Sequence, residues 1–409
     1  MIAAISIPEL NARRRTGIWL IGVSFVLFQF FLQLSSGVII GSIMNEMGLT
    51  AFQAGIISSA FYYVYTSMQI PVGMLFDRKS TRSLLAISAL VCSFGCVYFA
   101  QSHSLNHLFI GRLIIGAGSA FAFVGLSHLL RQHFPLKQFG FLIGLSETLG
   151  FLVAMFGLIS MGSLLNEISW RTFHNGAALL GLIISFFCWL YIPENSPSSQ
   201  STTRQGKQVL SILTNTKAWI NGLFAGLSFS VITVFGAMWA VPFIQAKLGC
   251  SLQEASWVDA MIFLGTALSC PLFGKLAIFF KRRRPMLLTS CLSTAFLLLA
   301  LLYLPIHRSD LLGLIMFAIG LCCGAYMLAY SIANELSPPD SLSTCAGFTN
   351  TLAMLTAPLI QPLIGYLLDL FSDSKQVYSL SNYQDALVII PIALFIASGL
   401  VFFLPEKQC

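Results

Sequence analysis

Two ionisable side chains stand where charge is costly. Arg112 and Glu147 each lie inside a long apolar stretch, with Glu147 about ten residues in. A lone charge near the middle of a bilayer costs about 2.5–3.5 kcal/mol on insertion scales, so each must be paired, neutralised or facing water. An acid that alternates there between neutral and charged forms can carry a proton, and a guanidinium can hold a carboxylate. Glu147 is therefore expected to be a proton-coupling residue, with Arg112 its partner in the first half of the chain. A fixed structural pair that never titrates is the competing possibility.

Amides and phenols recur at helical spacing nearby. Gln29 and Gln33 are four apart; Tyr62, Tyr65 and Gln69 follow an i, i+3, i+7 stripe; Tyr326, Tyr330 and Asn334 follow i, i+4, i+8. Trp239 and Asn350 lie in further apolar stretches. Such groups need partners in lipid, so they face water, a solute or one another. Gln29, Gln33, Tyr62, Tyr65, Trp239, Tyr326, Tyr330 and Asn350 are the expected substrate contacts. Bonds between helices are the alternative for each, and interfacial anchoring competes for Trp239 and Tyr330. A lining with many donors and acceptors but few charges suits a small polar or zwitterionic solute better than a polyanion.

Composition dictates the elements that position these residues. Hydrophobic residues make up 56% of the 409 and charged residues 9%, and the mean hydropathy is +0.83. One soluble core cannot hide that much apolar surface. Helices rise about 1.5 Å per residue, so crossing a hydrocarbon core of about 30 Å takes about 20 residues. Twelve stretches qualify: 17–44, 52–76, 84–101, 108–130, 138–165, 173–192, 218–244, 257–280, 286–304, 311–335, 343–370 and 385–404. They are continuously apolar rather than alternating, which argues for helices over a barrel. The predicted fold is an all-α membrane protein of twelve transmembrane helices. A stretch this long after Arg13-Arg14-Arg15 is expected to stay as an anchor rather than be cleaved.

The polar, Ser/Thr-rich segment 193–217 divides the spans six and six and reads as a cytoplasmic linker. The expected units are an N-terminal tail (1–16), a six-helix bundle (17–192), this linker, a second six-helix bundle (218–404) and a C-terminal tail (405–409). The halves carry matching punctuation. Span six exits through Ile192-Pro193-Glu194 and span twelve through Leu404-Pro405-Glu406; span two exits through Pro71-Val72-Gly73 and span eight through Pro271-Leu272-Phe273-Gly274. Together these marks predict a duplicated six-helix unit.

Sixteen of the Lys and Arg residues fall on the side of the termini, against four (Arg171, Lys247, Arg308 and Lys375) on the other. That bias puts both termini in the cytoplasm. It also accounts for the net charge of +7 without any nucleic acid. Most of the cysteines lie within spans, where a thiol packs as a small apolar group. No His and Cys cluster, phosphate-binding loop or catalytic triad is apparent, so neither a metal, a cofactor nor an enzymatic activity is expected.

The sharpest motif is Gly73-Met74-Leu75-Phe76-Asp77-Arg78-Lys79-Ser80-Thr81-Arg82, between spans two and three. Here the chain resembles the major facilitator superfamily, whose loop signature is Gly, then Asp four residues on, then basic residues. Ser80 stands where that pattern expects Gly, and the second-half copy lacks the acid before Lys281. The resemblance covers essentially the whole chain and implies two six-helix bundles about a central pocket. It also implies that Gly73 allows close helix approach and that Asp77 meets the start of span eleven near Ser343 and Thr344. Arg78 and Arg82 would then pair with Glu335 or Asp340 as a cytoplasmic latch; a charge cluster serving topology alone is the alternative. Arg112-Leu113-Ile114-Ile115-Gly116-Ala117-Gly118 is similar to the family's fourth-helix motif, where the Arg is linked to protons or substrate charge. Span five has no Pro in its Gly-rich run, unlike drug–proton antiporters. Ser146-Glu147-Thr148, Gly347-Phe348-Thr349-Asn350 and Gln361 to Asp369 look like the phagosomal-transporter group of amino-acid and nucleoside importers.

The expected function is proton-coupled import of a small polar metabolite, an amino acid first, by a monomer in the lipid of a bacterial inner membrane. An exporter of drug-like or siderophore-like compounds and a non-transporting nutrient sensor are the alternatives.

Overall fold

Backbone in lipid has no water to bond, so each apolar stretch closes its hydrogen bonds within itself, and the described elements are all helical. The computed structural model describes residues 11–76, 78–194, 211–280, 282–336, 342–372 and 377–406. Asp77 and Asp340 fall outside them, as does most of the 193–217 linker.

Twelve helical rods form among the described residues. Five are single helices in the first half: Ala51–Phe76, Thr81–Ala100, Leu105–His133, Leu136–Leu164 and Trp170–Tyr191 (spans two to six). Three are single in the second: Leu252–Phe280, Arg284–Tyr303 and Leu342–Phe371 (spans eight, nine and eleven). The remaining four are broken. Span one is Ala12–Leu34 continued by Ser36–Met47, and span seven carries a π-helical stretch, Val231–Trp239, between Thr216–Ser230 and Ala240–Leu248. Span ten tightens to a 3₁₀ turn at Gly324–Met327, and span twelve breaks between Leu380–Leu387 and Ile389–Leu400. Such interruptions free backbone groups and collect at functional sites.

Eleven rods are long and apolar enough to cross a membrane. The other, Ala51–Phe76, has 26 residues and no charged side chain; its Ser, Thr, Tyr and Gln residues lower its hydropathy. That polar content is buried rather than lipid-facing: Ser59, Tyr62, Tyr65, Thr66 and Gln69 are all enclosed. Large apolar side chains such as Leu179, Phe186, Phe296, Leu314 and Leu359 stay exposed, as a surface wetted by lipid requires.

Small residues set how closely the rods pack. A Cβ on Gly116 of span four would lie 2.3 Å from the Phe61 carbonyl oxygen of span two, and one on Gly320 of span ten 2.0 Å from that of Ile262 in span eight. The same contact thus recurs in both halves. So does an ion pair. Arg82, opening span three, meets Glu194 beyond span six at 2.8 Å, and Arg284, opening span nine, meets Glu406 beyond span twelve at 3.6 Å. The two Pro-Glu exits therefore do equivalent work.

The halves touch through spans two and eleven, and five and eight. On the face away from the termini this contact is backbone against backbone. A Cβ on Gly365 would stand 2.3 Å from the Ala51 carbonyl oxygen, and one on Gly55 would stand 2.8 Å from that of Gln361. Neither neighbour can swing aside, so Gly365→Ala is expected to cost about 1–3 kcal/mol of overpacking. The check is a lower unfolding temperature in detergent, together with faster thiol labelling on that face. Unchanged values would mean that the spans can separate freely there.

Candidate functional site

The break in span one sets the position of Arg112. Where the helix stops at Leu34 and restarts at Ser36, its edge groups lack regular partners, and Arg112 fills in. Its Nη1 donates to the Leu32 carbonyl at 3.0 Å and its Nη2 to Ser36 Oγ at 2.6 Å. The guanidinium also lies 5.4 Å from the Phe61 ring centre. Arg112 is 2% exposed, and no acid in the described residues acts on it; its electrostatic neighbours are Tyr62 and Cys96. The expected Arg112–Glu147 pair is not formed.

Glu147 lies elsewhere, half-buried on span five and close enough for its charge to reach Tyr65, Tyr326 and Tyr330. It therefore looks across to spans two and ten. Two acid-free polar clusters accompany it. In one, the Gln29 Nε2 donates to the Gln33 side-chain carbonyl and Gln33 Nε2 reaches Met354 Sδ at 3.6 Å. Tyr62 lies beside Gln33, its hydroxyl buried without a hydrogen bond of good geometry. In the other, the Tyr330 hydroxyl donates to Asn350 Oδ1 at 2.8 Å and Asn350 Nδ2 donates to Gln69 Oε1 at 3.3 Å. Tyr65 stands beside both amides, and Tyr326 stacks on Phe229 at 4.3 Å. Trp239 closes the π-helical stretch, 1% exposed, with its Nε1 lacking a partner. The substrate candidates thus separate into groups around Gln33, around Asn350 and at Trp239, and the first two bridge the halves.

The site is sealed on one side. On the face away from the termini, Asp369 of span eleven caps the start of span two: Ala51 N–H donates to Oδ1 at 3.1 Å and Phe52 N–H to Oδ2 at 3.0 Å. The Tyr378 hydroxyl donates to Asp369 Oδ1 at 2.6 Å and accepts from Ala51 N–H at 2.9 Å. A carboxylate at a helix N-terminus satisfies orphan amides and meets the positive end of the dipole. Further in, Ser59 Oγ donates to Gln361 Oε1 at 3.3 Å and Gln361 Nε2 to the Thr233 carbonyl at 2.7 Å. At the rim of the same face, Glu46 accepts from the Trp170 indole at 2.6 Å and pairs with Arg171. These contacts, the indole bond first, hold its carboxyl below the usual range.

The face bearing the termini differs. Among the described residues, polar contacts between the halves run inward as far as Gln69–Asn350 and stop. The ion pairs beyond that depth stay within one half. Arg82 meets Glu194 and stacks on Trp189, because span three packs against span six. Glu335 meets Arg283, itself 5% exposed, so the expected Arg82–Glu335 pair is absent. Arg78 is exposed, and among the described residues no atom of a neighbouring helix lies within 4 Å of a Cβ placed on Gly73, so no close approach to a described neighbour is made there.

One acid inside a span escapes the sequence reasoning. Asp259 on span eight is fully buried, and neither carboxylate oxygen has a partner. Predicting the span from 257 makes Asp259 an edge residue; the helix begins five residues earlier at Leu252, which sinks it about 7.5 Å further in. Among the described residues, no group of three His, Cys, Asp or Glu could hold a metal.

Twelve helices around polar clusters that are closed on one face define a membrane carrier. The model of the Major Facilitator Superfamily matches residues 19–240 and again 218–408, and the chain belongs to that family. It is a transporter rather than an enzyme. Among its relatives it is 24% identical over 379 residues to the uncharacterized transporter YybO of Bacillus subtilis (84% of this chain, 85% of the relative). It is 23% identical to the probable galactarate/D-glucarate transporter GudP of the same organism (80% of each chain) and 22% identical to its hexuronate transporter (80% and 82%). A bacterial homologue of the human lysosomal transporter Spinster, solved inward-facing and unoccupied, has the same fold, with a TM-score of 0.79 at 16% identity over 96% of this chain and 97% of that one.

Proposed function

We propose that this transporter imports a small carboxylate-bearing metabolite in symport with protons by alternating access. The observation that carries this is Arg112, a buried guanidinium with two fixed acceptors and no counter-charge among the described residues. A cation so placed is stabilised by an anion arriving from outside, and a solute carboxylate supplies one. Amino acids and sugar acids both carry that group. The sequence motifs favour amino acids, whereas the names of GudP and the hexuronate transporter favour sugar acids. The polar side chains around Gln33 and Asn350 would bind the rest of the solute.

The halves would rock about this region. The bias of positive charge supports termini in the cytoplasm of a bacterium, with its inner membrane as the lipid partner. The sealed face is then external, and the conformation described opens inward. Latching of the cytoplasmic side by Gly73, Asp77, Arg78, Arg82, Glu335 and Asp340 would belong to the opposite, outward-open state. A monomer suffices, since both halves lie in one chain.

Glu147 is the proton-coupling acid in this scheme. Glu147→Gln is expected to abolish proton-driven uptake into proteoliposomes while sparing counterflow exchange, which needs no net proton movement. Unchanged proton-driven uptake would remove Glu147 from the mechanism. Thermal unfolding against panels of amino acids, sugar acids, nucleosides and neutral sugars tests the solute class, since a ligand stabilises the state it binds. Stabilisation by neutral sugars alone would overturn the carboxylate assignment, and uphill uptake only into everted vesicles would mark an exporter.

A further inference from the structure

We propose that Asp259 is a second proton-binding residue of the transport cycle, paired in its charged form with the Trp239 indole. The proposal rests on the proton symport set out above. Asp259 and Trp239 are 0% and 1% exposed, and both carboxylate oxygens and the indole Nε1 lack partners. Buried polar groups are rarely left unsatisfied, and each one present calls for an explanation. A bare carboxylate in an apolar interior is costly enough that it takes up a proton instead. Among the described residues no charged group offers relief. Burial alone acts on Asp259. Lys247 of span seven donates to the Leu302 and Leu304 carbonyls, and Glu147 of span five acts on Tyr65, Tyr326 and Tyr330.

The two orphans stand at one level. Gly236 of span seven faces Ile262 and Phe263 of span eight, and the spans run antiparallel. Three residues onward in span seven is Trp239; three or four back in span eight is Asp259. Indole Nε1 is a donor only, so it cannot accept from a neutral acid's hydroxyl, and its bond to a carboxylate is about twice as strong as one to a neutral carboxyl. Trp239 ends the π-helical stretch, where the backbone has alternative pairings available. The site therefore has two states: neutral Asp259 with Trp239 unpaired, as described here, and ionised Asp259 accepting from Trp239. In passing between them Asp259 loses its O–H proton to water at the open face and regains one from water at the other; no other bond changes.

Infrared spectroscopy of the wild-type protein labelled with ¹³C-aspartate reads the site directly, without any solute. The other six aspartates (77, 310, 340, 369, 373 and 385) lie at or beyond span ends, so a labelled neutral-carboxyl band at pH 7 is expected from Asp259 alone. The band should be absent in Asp259→Asn, and it should disappear on raising the pH. Trp239→Phe removes the donor to the ionised form and should move that disappearance to higher pH. Labelled aspartate that is wholly ionised at pH 7, or an unmoved titration in Trp239→Phe, would overturn the proposal. In proteoliposomes with D-glucuronate as probe, Asp259→Asn should exchange solute but lose proton co-movement by about a hundredfold or more. Undiminished proton movement would also overturn it. A wild-type protein that moves solute without protons would instead overturn the symport on which it rests.

Discussion

Replacing Arg112 with Gln is expected to weaken solute binding severely while leaving the protein folded. Removing one member of a buried charge pair costs about 2–5 kcal/mol, and each 1.4 kcal/mol is about tenfold in affinity, so binding should weaken by roughly thirtyfold to several-thousandfold. The fold should survive because Gln still offers an amide to Leu32 O or Ser36 Oγ and relieves an uncompensated buried charge. Arg112→Lys tests geometry against charge. A guanidinium spans two acceptors and still presents donors to a carboxylate, whereas an ammonium is a compact point charge that does not match the fork. The Lys variant is therefore expected to bind weakly as well. Isothermal titration with the best-stabilising carboxylate checks both variants; wild-type affinity in either would mean that the anion lies elsewhere.

The second large effect is expected at Asp369. Asp369→Ala removes acceptors from the Ala51 and Phe52 amides and from the Tyr378 hydroxyl at once. Loss of a helix cap costs about 1 kcal/mol and up to about 2, and one or two kcal/mol is a factor of about 5–30 in a two-state ratio. The two amide bonds join span two to span eleven, and the Tyr378 bond steadies the following loop, whose Tyr378 hydroxyl also meets Ala51, so the loss falls on the state in which that face is shut. The population with the face open should rise by that factor. Asp369→Asn keeps an acceptor but loses the charge that favours a helix N-terminus, and should fall between. Cysteine labelling beside Ala51, read with a reagent that cannot cross the membrane, checks the shift. Equal labelling rates in all three proteins would mean that the cap does not bear on opening.

Much of this was legible in the sequence because lipid leaves a chain few choices. Helices, their number and their approximate ends follow from runs of apolar residues between charges, and the matching Pro-Glu exits do meet matching arginines. The family follows from the loop beginning at Gly73. What stayed hidden depends on tertiary contact. Nothing local marks the break at Ser35, the π-helical stretch before Trp239 or the 3₁₀ turn at Gly324; neighbouring helices impose them. Arg82 chose Glu194 because span three packs on span six, a preference no spacing encodes. Glu147 was visible as a membrane acid, but its distance from Arg112 was not. Asp259 was concealed by an error of five residues in the start of span eight, and Asp369 by lying near the end of a span, where an acid looks merely interfacial.

The central claim is that the halves open one face at a time around a solute held at Arg112. Spin-label distances across both faces test it most directly, with one label pair at Asn166 and Ser251 on the sealed face and another at Lys79 and Arg282 on the face of the termini, all exposed positions. On adding a transported carboxylate, the first distance is predicted to lengthen in part of the population while the second shortens in the same part, and Arg112→Gln should abolish the response. Distances that stay fixed, or that change together in the same direction, would contradict the account.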